Sequence, residues 1–412
     1  MKKLCTVFFI ASLVLSMTSI VMAGGITNKQ NFSVEYLRTF SRNAAIDSAD
    51  AVAFNPAGVM QMENGFYVNL GLFYALKDYS NTIGGTEYES DEPSMVPGLF
   101  GLYKKDRWAV FGAFTVPGGG GEVQYSRGDA TTFGYGSLLT SSPLLNPPYD
   151  IFQNQYLEGE SVYYGYTIGG AYALNDMVSV SLGARYIDAS EKAKASLVLA
   201  SSTVPAPNLP VGLEYEETAD GWGAIVGLSI APEGPFNIGM RYETKTKLDF
   251  ETSVIRDTVP GGAVTNGSME REDLPGLLGF GAGYRISPDL KLDLSFTWYL
   301  EKNADRSAAR FQNVSNGYDL ALAVEYDFNP KLKGSAGYMY TNTGLDPDNM
   351  LPEAPELNAQ TICTGLAYKI KSGLYLNGAL MGTFYEDEVR SDGIVLEKRV
   401  IGFGLGIQYK FM

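Results

Sequence analysis

Ile401-Gly402-Phe403-Gly404-Leu405-Gly406-Ile407-Gln408-Tyr409-Lys410-Phe411 brings the chain to its end in unbroken alternation. Side chains on a strand point to opposite faces in turn. One face therefore holds Ile401, Phe403, Leu405, Ile407, Tyr409 and Phe411, and the other holds glycines, Gln408 and Lys410. Such a strand separates an oily medium from a wetter one. A soluble sheet lying on a core has the same alternation over one strand, so the weight falls on how often it returns.

It returns along most of the sequence. From Gly65 fourteen segments read as strands, near 65–77, 95–104, 107–117, 160–174, 177–194, 213–231, 236–252, 271–286, 289–302, 316–328, 331–342, 357–370, 373–387 and 394–411. Tight turns follow the even-numbered strands: Lys105-Asp106, Asn175-Asp176, Pro232-Glu233-Gly234-Pro235, Ser287-Pro288, Asn329-Pro330 and Lys371-Ser372. Longer loops follow the odd-numbered ones. In the ninth strand Leu290, Leu292, Leu294, Phe296, Trp298 and Leu300 oppose Lys291, Asp293, Ser295, Thr297, Tyr299 and Glu301. In the tenth, Leu320, Leu322, Val324, Tyr326 and Phe328 oppose Asp319, Glu325 and Asp327. The seventh sets Phe236, Ile238, Met240 and Tyr242 against Asn237, Arg241, Glu243 and Lys245. A cationic side chain at mid-bilayer costs about 2–4 kcal/mol, so the charged faces belong to an enclosed lumen. An even number of strands, with short turns at one end and long loops at the other, predicts an all-β, fourteen-stranded antiparallel transmembrane barrel. A soluble β-sandwich is the rival. Lipid requires every backbone group to be paired, and closure achieves that where an open sheet cannot.

Composition agrees. Tyrosine (27), phenylalanine (21) and glycine (47) are abundant and charged residues make up only 19%, which suits many strands with aromatic ends. A net charge of −15 without clustered Lys and Arg argues against nucleic acid. Histidine is absent, which removes the usual general base of barrel lipases and proteases, so no enzymatic role is expected. No metal or cofactor is expected either: the carboxylates Glu386, Asp387 and Glu388 read as a solvated loop end.

Lys2 and Lys3 precede an apolar run from Leu4 to Val21, and Val21-Met22-Ala23 presents small residues where a signal peptidase reads. Residues 1–23 are therefore expected to be a signal peptide. Cys5 would leave with it, so Cys363 could form no internal disulfide. Residues 24–64 do not alternate and end in Asp47-Ser48-Ala49-Asp50-Ala51-Val52-Ala53-Phe54-Asn55-Pro56-Ala57-Gly58. They fit a compact plug in the bore of a barrel spanning 65–412; a disordered arm has a similar composition.

The segment Ala53-Phe54-Asn55-Pro56-Ala57-Gly58 resembles the hatch motif of the FadL-type outer-membrane transporters, the family that includes the toluene and xylene channels. The likeness continues in Glu217-Thr218-Ala219-Asp220-Gly221-Trp222-Gly223 and the hairpin beyond it, in Asp273-Leu274-Pro275-Gly276, and in the last strand. It implies a monomeric Gram-negative outer-membrane barrel, plugged by its hatch, that passively takes up long-chain fatty acids or aromatic hydrocarbons. A general diffusion porin is the alternative, and a structural or adhesive barrel a third. The resemblance also implies capture at the extracellular loops and release either past the hatch or sideways through a wall-opening kink in the third strand. That kink would fall on Pro117-Gly118-Gly119-Gly120-Gly121, which read equally well as the start of a loop. Apolar residues of the next loop, read from Glu122 to Gly159, could capture ligand: Leu138, Leu139, Leu144, Leu145, Ile151 and Phe152. They could equally pack as a lid. Arg185, Arg241, Lys245 and Arg285 face the lumen by parity and could meet a carboxylate, or pair with Asp188, Glu243 and Asp293. Barrel strands commonly finish on an aromatic that the assembly machinery reads; here Phe411 precedes Met412. Intact-mass measurement of protein purified from the outer membrane is expected to place the mature N-terminus at Gly24; retention of residues 1–23 would overturn the signal-peptide reading.

Overall fold

The computed structural model describes residues 26–27, 31–142, 145 and 148–411. The expected signal peptide, with Cys5, and the loop residue Leu144 lie outside them. Among the described residues fourteen strands form one closed antiparallel barrel. In order they are Gly65–Ile83, Ser94–Lys105, Trp108–Tyr125, Ile151–Ala173, Val178–Ala200, Leu209–Ile230, Phe236–Glu243 continued by Asp249–Asp257, Met269–Arg271 continued by Leu277–Arg285, Leu290–Tyr299, Tyr318–Asn329, Leu332–Asn342, Ala359–Lys371, Leu374–Tyr385 and Val395–Phe411. The first strand pairs with the fourteenth from Phe66↔Phe411 to Thr82↔Val395, which closes the wall.

Several strands outrun the apolar stretches that mark them in the sequence. The fourth begins at Ile151 instead of near 160, and the fifth ends at Ala200 instead of near 194. Beyond the bilayer the outward face need not be greasy, so the ladder continues where the hydrophobic alternation fades. The seventh strand is interrupted at residues 244–248, where the chain crosses the sixth. A Cβ on Gly221 would collide there with the Lys247 carbonyl, and one on Gly223 would come within 2.8 Å of Thr246 Oγ1. The glycines of the Gly221-Trp222-Gly223 motif thus make room for that crossing.

The faces fall as parity requires. Ile401, Phe403 and Leu405 stand outward at 52%, 43% and 67% exposure, while Asp293, Asp319, Glu325, Arg241 and Glu243 are buried inside. Aromatic pairs mark both rims of the apolar band. Phe66–Phe411 and Tyr103–Trp108 lie near the short turns, with ring centres 5.3 and 5.5 Å apart. Phe114–Tyr166 and Tyr186–Trp222 lie toward the loops, at 5.3 and 5.1 Å. Such rings belong at the two membrane–water interfaces.

The bore is filled by the segment that precedes the first strand. It forms two one-turn helices, α1 (Val34–Leu37) and α2 (Ala51–Phe54), and a 3-10 turn at Gly58–Gln61. Ser33 caps α1 by accepting from the Tyr36 N–H at 2.9 Å. This plug rests on inward-facing glycines. Added Cβ atoms would come within 2.9 Å of Leu37 at Gly404, and within 3.0 and 3.1 Å of Val34 at Gly406 and Gly71. At Gly239, Gly281 and Gly337 they would run into the backbone of Asn43, Ala44 and Thr39. The wetter face of the last strand is therefore a seat for protein more than for water.

Overpacking such a seat costs about 1–3 kcal/mol. Gly281→Val is expected to leave a folded, heat-modifiable barrel whose ion conductance in planar bilayers rises above wild type. Gly378→Val is the control, because its Cβ would meet nothing nearer than 4.0 Å, and it should leave the conductance unchanged.

Candidate transport site: hatch, loop helix and a slit in the wall

The hatch is organised around Asp50, which accepts from Ser33 Oγ at 2.6 Å and from Arg42 Nη2 and Nε at 2.6 and 3.1 Å. Arg42 also donates to Asp47 at 2.8 Å. A buried carboxylate is tolerable when it is paired and hydrogen-bonded in this way. The Phe54–Gly58 motif fastens the hatch to the wall. Phe54 stacks on Tyr36 with ring centres 5.0 Å apart, and the Arg241 guanidinium lies 5.7 Å from the Phe54 ring centre while donating to the Ala53 carbonyl. Asn55 Nδ2 donates to the Ala45 carbonyl at 3.0 Å. Ala57 accepts from Ser179 Oγ at 2.7 Å, and Pro56 lies over Gly227. Gly58 has no room for a Cβ beside Asn55 and the Ala45 carbonyl.

The lumenal arginines serve this assembly. Arg185 and Arg241 are 3% and 2% exposed and pair with Glu243 at 2.5 and 3.1 Å. The expected partner Asp188 instead stands on the outer face, opposite Asp220 in the ladder. Its parity is opposite to that of Arg185, so it cannot reach the lumen. Lys245 bonds Asp273 and Asp305 at 3.2 and 2.6 Å, and Arg285 lies 3.8 Å from Asp327 at the short-turn end.

The loop after the third strand runs from 126 to 150, shorter than the 122–159 expected, because both flanking strands extend into it. It contains a helix, α3 (Ala130–Thr140), opened by a capping box between Asp129 and Thr132. Leu139 is buried among Leu197, Val211, Leu213 and Val259, while Leu145 and Phe152 pack at the edge of that cluster and Leu138 is half-buried. Phe152 meets Phe133 edge-on at 5.3 Å. The loop between Asn342 and Ala359 reaches under the helix, where Thr131 Oγ1 donates to Glu353 Oε2 at 2.8 Å. Burial, and after it the charge of Asp129, push the Glu353 carboxyl up to about 8. The loop apolar residues thus form a lid over the ends of the fifth and sixth strands. An apolar cleft beneath it, lined by Tyr135, Leu197, Val211, Leu213 and Val259, holds about 20 Å³ of free space.

The third strand breaks with its neighbour on one side only. Its ladder to the second strand runs from Lys105↔Trp108 to Leu99↔Phe114 and goes no further. Above that point Ser94–Gly98 pair only with the first strand. Residues 115–125 pair only with the fourth, through register shifts at Thr115/Gly118 and Gly119/Gly121. Pro117-Gly118-Gly119-Gly120-Gly121 is therefore neither a loop nor a complete loss of pairing. The strand continues to Tyr125 as a double bulge that leans toward the fourth strand and leaves a slit beside the second. Gly119 and Gly121 take φ of 76° and 81°, the left-handed region open to glycine, and Pro97 and Pro117 have no N–H to offer across the opening.

Three side-chain bonds cross the slit. Lys77 Nζ donates to the carbonyls of Gly120 and Glu122 at 3.1 and 2.6 Å, and Ser94 Oγ donates to Gly120 at 3.0 Å. Neither residue was evident as a site in the sequence, where the first strand reads only to position 77. Its inward parity through Asn69, Phe73 and Ala75 would have placed Lys77 inside. At the short-turn end a cavity of about 590 Å³ opens below the hatch, lined in part by Arg38, Asp47, Met62, Lys333 and Gln408.

The family model for outer membrane protein transport proteins (OMPP1/FadL/TodX) matches residues 14–390. Among solved structures, a FadL homologue of Pseudomonas aeruginosa aligns with TM-score 0.67 at 17% identity, covering 96% of this chain and all of its own. The Pseudomonas putida toluene transporter TodX aligns with TM-score 0.68 at 14% identity over 94% of this chain and 100% of that one. The Ralstonia pickettii toluene transporter TbuX gives 0.66 at 17%, over 93% and 99%. Comparison with curated proteins finds no match to this sequence. At these identities the likeness to solved structures speaks for the fold, and the family model, which spans most of the chain, for the membership. The chain belongs to the FadL/TodX family of outer-membrane transporters of hydrophobic compounds: a β-barrel channel of the Gram-negative outer membrane, and not an enzyme.

Proposed function

We propose that this barrel carries small hydrophobic molecules, long-chain fatty acids or monoaromatic hydrocarbons, past the outer leaflet without an energy source. Cargo is captured under α3 and released through the slit beside the third strand. The observation that carries this reading is the slit, because a solute leaving there enters the membrane without crossing the hatch. The free energy of an apolar solute falls on passing from water into an apolar setting, and its concentration gradient supplies direction. Capture requires the lid to lift. An engineered cavity of about 150 Å³ suffices for benzene, and the cleft under α3 offers about 20 Å³. The likeness in fold to TodX, a toluene transporter, supports an aromatic cargo.

The test is uptake of labelled oleate and labelled toluene by cells with and without the protein. Uptake of at least one should fall when the protein is removed, and equal uptake of both would overturn the proposal. Leu139→Asn puts an unpaired amide into the apolar cluster under the lid, at a cost of about 1–3 kcal/mol; it is expected to lower uptake at limiting cargo roughly tenfold with barrel mobility on unheated gels unchanged. Deleting residues 24–64 should open ion conductance, whereas a general diffusion porin would conduct with those residues in place.

A further inference from the structure

We propose that Lys77, assisted by Ser94, is the clasp of the wall slit: its ammonium stands in for the missing ladder between the second and third strands, and cargo passes only when it lets go. This rests on the lateral route proposed above, but its test reads the slit itself.

Backbone carbonyls need donors, and in a complete barrel the neighbouring strand provides them. Across the slit Ser94–Gly98 form no ladder with residues 115–125. The carbonyls of Gly120 and Glu122 are met by side chains, at 3.1 and 2.6 Å from Lys77 Nζ and, for Gly120, at 3.0 Å from Ser94 Oγ. Lys77 is 3% exposed, so its ammonium has exchanged water for these oxygens. The contact is close by construction: a Cβ on Gly121 would collide with Ser94 Oγ and lie 3.5 Å from Lys77 Nζ. Above the slit a further bond, from Gln124 N–H to Ser90 Oγ at 2.9 Å, ties off the upper end.

Side-chain bonds and ladder bonds differ in how they open. A ladder parts only by moving two backbones, whereas a lysine releases by rotating about its own flexible stem. The slit can therefore open without disturbing the first–second or third–fourth ladders, which hold the barrel together on either side. Lys77 acts here as a positioning residue on the strand it holds.

The experiment uses Thr115→Cys, at an inward-facing site 2% exposed on the edge of the bulge, in a Cys363→Ser background, with the full chain in phospholipid vesicles. The slit is the direct path by which a lipid-soluble maleimide in the bilayer reaches this inward-facing cysteine. Lys77→Met should raise the labelling rate about tenfold, in line with loss of charge-assisted bonds, and Lys77→Arg should restore the slow rate. Ser94→Ala, a milder change, should raise it severalfold and serves as the measure should Lys77→Met fail to fold, as judged by unheated gel mobility. Unchanged labelling in the folded variants would overturn the clasp, whatever uptake does. Faster labelling with unchanged cargo uptake would uphold the clasp and sink the lateral route.

Discussion

Hydrocarbon cannot hydrogen-bond, and this molecule answers to that constraint throughout. It forces closure of the first strand on the fourteenth through pairs from Phe66↔Phe411 to Thr82↔Val395. It explains why, within the apolar band, charge faces the lumen, where Lys291 meets Asp293 at 2.9 Å and Arg185 meets Glu243 at 2.5 Å. It also gives the slit its significance. A wall that must leave no carbonyl unmet has a place where the neighbouring strand does not meet them, and side chains take over there.

The second organising contact is the fit of plug to wall. Inward glycines are usually read as weak points in a strand, yet here they allow the hatch backbone to lie against the barrel at Gly239, Gly281 and Gly337. Hatch and wall are thus matched as a core is, by volume, with hydrogen bonds such as Asn237 Nδ2 to the Ala44 carbonyl at 2.5 Å fixing the register.

Much of this was legible in the sequence because parity is a strong signal in lipid. Leu294, Leu322 and Phe403 could face only outward, and all do. Parity falls silent where lipid ends, which is why the fourth and fifth strands run longer than their apolar stretches. The helix Ala130–Thr140 was also hidden: Gly134, Gly136 and three threonines weaken its propensity, and it is held by its capping box and by Leu139 in the cluster below. Pro117–Gly121 was ambiguous because a loop and a bulge call for the same residues. What distinguishes them is the company of Ser94 and Lys77, brought there by other strands.

The seat of the hatch has a consequence for how the molecule is made. Val34 lies against Gly71 of the first strand and Gly406 of the fourteenth, so its berth is complete only when those two strands pair. Sealing the wall and completing the seat of the plug are therefore geometrically one step.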